Sequence, residues 1–161
     1  MKYDLIAIGD ITTDCFIRLE KPAAHCDIDH GTRELCVEFG AKVPFESVTI
    51  VPAVGNSANA AVCAAKIGLR SALVTNQGSD EVARAHRAAL TKAGVALDFV
   101  RDHPGLKTNY HYVLWYESER TILIKHELFP RELPDIGEPA WLYVTSVGDE
   151  SGAFHDVIAH Y

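Results

Sequence analysis

The stretch AVGNSANAAVCAAKIG, residues 53–68, places Gly55 directly before an alanine-rich segment that is typical of a helix. The N-terminus of a helix offers free backbone N–H groups, and such turns often bind anions. Neither a P-loop pattern nor a G-x-G-x-x-G dinucleotide pattern occurs in the chain. The amides of Asn56 and Asn59 both donate and accept hydrogen bonds, which suits sugar hydroxyls. Asparagine and serine are also common N-caps, so the local pattern alone favours a helix cap and leaves ligand contact as the alternative.

The composition limits the possible partners. The 161 residues are 48% hydrophobic and 23% charged, which predicts one globular domain. A formal net charge of -7 argues against nucleic acid and against an anionic membrane surface as partners. No apolar run approaches the length that crosses a bilayer, and the amino-terminal residues lack a signal peptide's apolar region. We therefore expect a cytoplasmic protein.

The cysteines give little indication of a metal site. The segment HCDIDH, residues 25–30, offers Cys26 and His30 as possible ligands, but no second ligand pair at a standard spacing follows. No two cysteines form C-x-x-C. We therefore predict a polar loop at 25–30 and no metal site. Cys63 lies in the alanine-rich helix and is predicted to be a small core residue.

Buried strands and helices alternate through much of the chain. Nearly continuous apolar runs at 3–9, 71–75 and 140–148 predict strands that are covered on both faces, and a further strand is predicted at 97–101. The helix after Gly55 is apolar nearly all round, so it is predicted to be buried, with Gly68 as its C-cap. This order favours a parallel α/β sheet with right-handed crossovers.

A second helix is predicted to begin at Ser79 as N-cap and to end at Gly94. Its predicted core face is formed by residues at helical spacing: Val82, Ala85, Ala89, Leu90 and Ala93.

More polar strands form a second group. They are predicted within about 15–20, 34–52 and 108–126, and the last of these segments has the pattern of an antiparallel hairpin around 117–119. We expect these strands to form a small second sheet beside the parallel one.

Five motifs in order resemble the pfkB family of ribokinase-like carbohydrate kinases, and the resemblance spans nearly the whole chain. They are IGDITTD (8–14), VGNSAN (54–59), AAKIGLRSALVTNQGSD (64–80), KAGV (92–95) and ESERTILI (117–124). Two positions depart from the family pattern, because Val54 and Ala83 stand where glycines are usual. The resemblance implies a doubly wound, mostly parallel α/β sheet with a small β-sheet lid, in which residues 1–161 form the amino-terminal part of one domain.

The resemblance also implies a set of substrate-binding residues. Asp14 matches the aspartate that binds substrate hydroxyls, and the substrate-binding set on these motifs is Thr12, Asp14, Gly55, Asn56 and Asn59. A carboxylate accepts strong hydrogen bonds from hydroxyls, and an amide can donate to one hydroxyl and accept from the next. The expected ligand is a sugar or a nucleoside. Four aromatic residues could wall the pocket or pack the lid sheet on itself: Phe16, Phe39, Tyr110 and Tyr112.

The phosphate-binding part of the family pattern has no counterpart in this sequence. Family members are about twice as long, use ATP and Mg²⁺, and carry a G-A-G-D segment that supplies both the phosphate contacts and the catalytic base. No such segment occurs here, so no catalytic residue is assigned. We expect the chain to be a truncated half that does not bind ATP or Mg²⁺ tightly and is inactive alone.

Two functional classes remain open at this stage. One is the substrate-binding half of a carbohydrate or nucleoside kinase. The other is a non-catalytic module that self-associates or binds another chain. A homodimer through the lid or through the truncated face is expected in either case, since both would expose apolar surface.

Overall fold

The computed structural model describes residues 3–21, 25–29, 32–148 and 152–161, which divide into two compact units. The first unit is Met1–Thr13, Pro52–Asn109 and His126–Tyr161, and the second is Asp14–Val51 and Tyr110–Lys125. In chain order the elements are β1 (Leu5–Ile8), β2 (Thr12–Leu19), β3 (His25–Asp29), β4 (Thr32–Cys36), β5 (Phe45–Val54), α1 (Asn56–Lys66), β6 (Ser71–Gly78), α2 (Glu81–Ala93), β7 (Val100–His103), β8 (Tyr110–Tyr116), β9 (Glu119–Leu123), β10 (Trp141–Val144) and α3 (Gly152–His160).

A parallel four-stranded sheet organises the first unit. Its strand order is β10-β1-β6-β7, and every neighbouring pair is parallel. In β1, Leu5 pairs with Ser71 of β6 on one side and with Trp141 of β10 on the other. The predicted α/β class is thereby confirmed.

Both faces of the central strand β1 are covered. Ala7 of β1 belongs to a core cluster that includes residues of α1 and α2. Ile6 and Ile8 project from the opposite face into a second cluster, which contains Phe154 of α3. Because successive side chains alternate across a strand, a strand covered on both faces must be apolar at every position, as β1 is.

The first helix begins differently from the sequence prediction. Its N-cap is Gly55, without a side-chain hydrogen bond, so the interpretation of Asn56 and Ser57 as capping residues is wrong. At the other end Gly68 adopts a φ of 91° just after the last helical turn. The amides of Gly68 and Leu69 donate to the carbonyls of Ala65 and Ala64, which is the hydrogen-bond pattern of a Schellman motif.

Only one face of α1 is buried. The buried residues follow helical spacing at Ser57, Ala58, Ala61 and Ala64. Cys63 is exposed, which corrects its predicted place in the core. Small apolar residues occur all round this helix, so the sequence pattern did not reveal which side of the helix faces the sheet.

The second helix is capped by Asp80, not by Ser79. Asp80 adopts an extended conformation, and its carboxylate accepts a hydrogen bond from the backbone of Ala83 at 3.0 Å. The buried residues of α2 are Ala83, His86 and Leu90, whereas Ala85, predicted for the core, is exposed. Gly94 ends the helix in the left-handed conformation, as expected.

Asp80 also holds the segment that leads into β8. Its Oδ1 accepts a hydrogen bond from the Thr108 hydroxyl at 2.7 Å, and its Oδ2 accepts one from the Thr108 amide at 3.1 Å. Gly78 lies against the same segment, because an added Cβ would be 2.4 Å from the Leu106 carbonyl oxygen. Burial alone would raise the pKa of Asp80, but the hydrogen bonds from Thr108 and Ala83 outweigh it and lower that pKa.

The second unit contains a four-stranded sheet of order β5-β2-β8-β9. β8 and β9 are antiparallel, and Tyr116 pairs with Glu119 across a two-residue turn at the predicted hairpin position. Glu117, in that turn, has a positive φ of 53°. The interpretation of this unit as a lid stays a prediction.

Several predicted boundaries were wrong. Residues 25–29 form β3, which pairs antiparallel with β4, and not a polar loop; His30 lies outside the described residues. The strand predicted at 97–101 is β7, which begins at Val100. β10 is shorter than the apolar run 140–148 and is exposed, with Trp141 at 72%.

Among the described residues, no helix has both the length and the apolar character needed to cross a membrane.

The Asp80 contacts predict a large stability effect from one substitution. Asp80→Ala removes the helix cap and two hydrogen bonds to Thr108. We expect the free energy of unfolding to fall by about 2 kcal/mol, measured by urea denaturation. Glu81→Ala is the matched control, because Glu81 lies in the same helical turn and pairs with the exposed Arg84. Equal losses for the two variants would contradict the assigned role of Asp80.

Candidate functional site

The polar groups of the first unit collect where β1 and β10 end. At Gly9, directly after β1, an added Cβ would lie 1.9 Å from the Thr145 carbonyl oxygen and 3.0 Å from the Ser57 Cβ. Only glycine permits this approach. The carboxyl ends of the two strands and the first turn of α1 therefore meet at one point.

The turn before α1 packs on the turn after β1. Gly55 has a φ of 109°, and an added Cβ would lie 2.9 Å from the Asp10 carbonyl oxygen. The hydroxyl of Ser57, which is fully buried, donates to the same oxygen at 2.8 Å. Asn56 donates through Nδ2 to the Ser146 hydroxyl at 3.2 Å. Two motifs that are 40 residues apart in the sequence are thus neighbours in the fold.

Asn59 lies one helical turn after Gly55. Its amide donates to the Gly55 carbonyl at 2.8 Å as part of the helix, while the residue itself is exposed. An exposed amide side chain near a helix N-terminus can contact a ligand without first losing a protein partner. Its predicted role in substrate binding stays a prediction.

A partly buried ion pair lies beside this turn. The Arg131 guanidinium donates two hydrogen bonds to the Asp10 carboxylate, at 2.9 and 3.0 Å. The side chain of Asp10 is 8% exposed and that of Arg131 is 19% exposed. His126 Nδ1 lies 3.8 Å from the same carboxylate. A planar, bidentate pair of this kind fixes the orientation of both groups.

The ion pair lines a pocket of about 660 Å³. The pocket opens beyond the carboxyl ends of β1 and β10. The strand order reverses between these two strands, because β6 and β7 follow β1 on one side of the sheet and β10 lies on its other side. Such a point of reversal in strand order is where open α/β sheets bind ligands. Its lining includes Asp10, His126, Phe129, Arg131, Val147 and Phe154.

Thr12 and Thr13 form the start of β2 and are both buried. The Thr12 hydroxyl donates to the Thr13 carbonyl at 3.3 Å. The Thr13 hydroxyl lies 2.8 Å from Nε2 of His86. The predicted substrate residue Thr12 is therefore held in a segment whose backbone and side chains are both fixed.

In the second unit, Asp14 is paired with a histidine that the sequence analysis missed. Nδ1 of His111 lies 3.3 Å from Asp14 Oδ1, and the two side chains are 13% and 23% exposed. Oδ1 of Asp14 is itself buried, and among the described residues it has no hydrogen-bond partner. With His111 beside it but no hydrogen bond from the described residues, the carboxylate is incompletely satisfied, and its partly exposed side chain can accept a hydrogen bond from a ligand hydroxyl.

The four predicted aromatic residues do not share one surface. Phe16 lies on the same face of β2 as Asp14, because side chains alternate along a strand. Tyr110 lies on the opposite face, because the next residue of β8, His111, contacts Asp14, and the ring of Tyr112 lies 5.1 Å from that of Tyr110. The fourth residue, Phe39, is fully exposed and lies outside the strands. Their predicted role as pocket walls stays a prediction.

No group of three or more His, Cys, Asp or Glu side chains within the described part of the chain is arranged to bind a metal ion.

The chain is similar to known carbohydrate kinases in sequence pattern and in fold. Residues 27–147 match the model of the pfkB family of carbohydrate kinases. No curated protein matches the chain. Among solved structures, the chain is similar to Arabidopsis thaliana ribokinase complexed with ribose and ATP, with a TM-score of 0.62 and 23% identity over 78% of this chain and 36% of that one.

Two other solved structures extend the comparison. One is the nucleoside kinase of Methanocaldococcus jannaschii, an archaeal member of the ribokinase family, with a TM-score of 0.60 and 17% identity over 77% of this chain and 37% of that one. The other is ribokinase from Cryptococcus neoformans in complex with ADP, with a TM-score of 0.55 and 20% identity over 75% of this chain and 33% of that one. The chain spans about a third of the length of these structures.

The Asp10–Arg131 pair predicts a stability effect that an exposed pair would not give. Arg131→Met leaves the Asp10 carboxylate buried without its partner, so we expect the free energy of unfolding to fall by roughly 3 kcal/mol. Adding Asp10→Asn should recover part of that loss. Arg70→Met is the control, because Arg70 makes an equally bidentate but exposed pair with Asp4. Urea denaturation of these three variants and the original chain would contradict the assignment if Arg70→Met cost as much as Arg131→Met.

Proposed function

Because the chain belongs to the pfkB family of carbohydrate kinases, we propose that it is the substrate-binding part of an ATP-dependent kinase that phosphorylates a hydroxyl of a sugar or nucleoside. The observation that carries the proposal is the Asp14 carboxylate on the strand where the family motif predicts a hydroxyl acceptor. Its side chain is 23% exposed, and its buried Oδ1 lies 3.3 Å from His111 Nδ1 but accepts no hydrogen bond from the described residues. One similar structure is a ribokinase complexed with ribose and ATP and another is a nucleoside kinase, which supports these two ligand classes.

The proposed substrate contacts divide by chemistry. Asp14 accepts hydrogen bonds from hydroxyls, and Asn59 donates to one hydroxyl and accepts from another. Thr12 and Asn56 add a hydroxyl and an amide, and Gly55 lets the backbone approach closely. Since a site built to pair with hydroxyls leaves its own groups unpaired around a deoxy analogue, it should discriminate strongly against such analogues.

His111 is an addition to this set. Its imidazole lies within 3.3 Å of the Asp14 carboxylate, on the same face of the sheet. An imidazole in this position orients the carboxylate and presents a second polar group to the same ligand. The second unit, which contains both residues, acts in this proposal as the lid that excludes water from the substrate.

The transfer step requires groups that this sequence does not contain. Phosphoryl transfer depends on cations and backbone N–H groups around the phosphate, and on a base at the attacking hydroxyl. The G-A-G-D segment that supplies them in the family is absent from these 161 residues. ATP and Mg²⁺ therefore belong to the proposed kinase as a whole, and this chain is proposed to bind the sugar without turnover.

Ligand binding to the purified chain tests the proposal. D-ribose and adenosine, titrated in ligand-observed NMR, should bind weakly, and Asp14→Asn should weaken binding roughly tenfold or more. Glu119→Gln is the control, because it removes an exposed carboxylate from another strand of the same sheet.

Three outcomes are informative. Equal binding by Asp14→Asn and the original chain would remove Asp14 from the site. Failure of every sugar and nucleoside to bind would overturn the proposed substrate classes. ADP release from ATP that disappears in Asp14→Asn would show that this chain carries its own phosphate site.

A self-associating module is the second candidate function, and exposed apolar side chains favour it. In the second unit, Val48, Ile50 and Ile122 are between 39% and 58% exposed. In the first unit, β10 at the edge of the parallel sheet exposes Trp141 and Leu142. Exposed apolar surface on a sheet is typical of a protein interface. We propose a homodimer through one of these two surfaces.

Light scattering coupled to size exclusion distinguishes the two surfaces. The chain should elute as a dimer that dissociates on dilution. Ile50→Glu should prevent dimerisation if the second unit forms the interface, and Trp141→Glu should do so if β10 forms it, because each buries a charge there. Thr49→Glu is the control, since it adds the same charge on the other face of β5. A monomer at every concentration would exclude this proposal.

A further inference from the structure

α2 carries a histidine where its neighbours are apolar. His86 has no exposed surface, and the other buried residues of the helix are Ala83 and Leu90. Histidine is seldom buried in this way unless both ring nitrogens find partners. The two partners of His86 determine what this side chain does.

His86 is a link in a chain of hydrogen bonds that starts at a carboxylate. Gln77 donates through Nε2 to Asp102 Oδ1 at 2.8 Å, and its Oε1 lies 3.1 Å from His86 Nδ1. His86 Nε2 lies 2.8 Å from the Thr13 hydroxyl. Asp102 is in turn held by Arg87 at 3.0 Å. Every polar group in this row is therefore paired.

The Asp102 carboxylate determines which group donates in each hydrogen bond of this row. Asp102 can only accept, so the amide nitrogen of Gln77 faces it and the amide oxygen faces His86. That oxygen requires a proton on Nδ1 of His86, which leaves Nε2 as an acceptor. The Thr13 hydroxyl must then donate to Nε2.

Burial favours the same neutral form of the ring. It lowers the pKa of His86 to about 4, with the negative charge of Asp80 opposing the shift. At neutral pH the ring is therefore uncharged and can accept the Thr13 proton. In a protonated ring both nitrogens carry hydrogen, so neither could accept a hydrogen bond from the Thr13 hydroxyl.

We propose that His86 is a positioning residue that holds the Thr13 hydroxyl and thereby the Thr12–Asp14 segment at the start of β2. The inference rests on the proposed function, in which Thr12 and Asp14 contact the substrate. The Thr13 amide also donates to the Asn109 carbonyl at 3.3 Å. Thr13 is thus held on two sides, by its backbone and by His86, and only the second contact involves a side chain that can be removed selectively.

Removing the Thr13 hydroxyl tests the proposal. Thr13→Val keeps the shape of the side chain but cannot donate to His86, whereas Thr13→Ser keeps the hydroxyl. Thr75→Val is the matched control, because Thr75 is also buried in a strand and its hydroxyl has no hydrogen-bond partner within the described residues. All three substitutions are made in the full 161-residue chain.

The first measurement needs no ligand. NMR of the imidazole nitrogens should show the Nδ1–H tautomer of His86 at pH 7, and Thr13→Val should shift the Nε2 resonance while Thr75→Val does not. Amide hydrogen exchange should accelerate at Thr12 and Asp14 in Thr13→Val more than in the rest of the chain. A protonated or Nε2–H ring, or a uniform rise in exchange, would overturn the positioning role.

The second measurement uses D-ribose and adenosine as probes. Thr13→Val should weaken binding roughly fivefold, and Thr13→Ser and Thr75→Val should leave it unchanged. Unchanged binding in Thr13→Val would overturn the proposal. If neither probe binds the original chain, the proposed function fails, while the tautomer and the exchange pattern still decide the role of His86.

His86→Leu fills the site with an apolar side chain. If this variant folds, it should show the same pattern of amide exchange as Thr13→Val; if it does not fold, the Thr13→Val results decide the role of His86.

Discussion

The close approach of three backbone segments at Gly9 is the constraint on which the first unit depends. The end of β1, the residue after β10 and the first turn of α1 meet there, with no room for a Cβ. This contact places the Asp10 carbonyl under the Ser57 hydroxyl and leaves the Asp10 carboxylate facing Arg131. The polar groups at this edge of the sheet are thus consequences of how tightly the strands and the helix pack.

A second constraint acts through Asp80. One carboxylate caps α2 and accepts two hydrogen bonds from Thr108, so the helix and the segment entering β8 are fixed together. His86, one turn further along α2, connects the same helix to Thr13 at the start of β2. Thr108, just before β8, and Thr13, at the start of β2, are therefore held against α2 by polar side chains, whose geometry is more specific than that of apolar packing.

The sequence predicted the elements better than their details. The parallel α/β sheet followed from buried apolar runs and from the helices between them, and it was confirmed. The cap of α2 was misplaced by one residue, because Ser79 and Asp80 are both good N-caps and only the path of the backbone distinguishes them. Cys63 was misplaced because an alanine-rich helix has no marked polar face. Asp14 was predicted as a site residue from its motif, and that stays a prediction; its neighbour His111 was missed because it lies in a run of aromatic and apolar residues.

What the sequence determined by itself is local: the periodicity of strands and helices, the turns at Gly55, Gly68 and Gly94, and the motifs that indicate a carbohydrate kinase. Only the tertiary structure decided which polar groups meet. Asp10 and Arg131 are 121 positions apart, and His86 and Thr13 are 73 apart. Propensity and periodicity act over one or two turns of chain, whereas an ion pair or a buried hydrogen bond depends on where distant segments are brought by packing of the whole core.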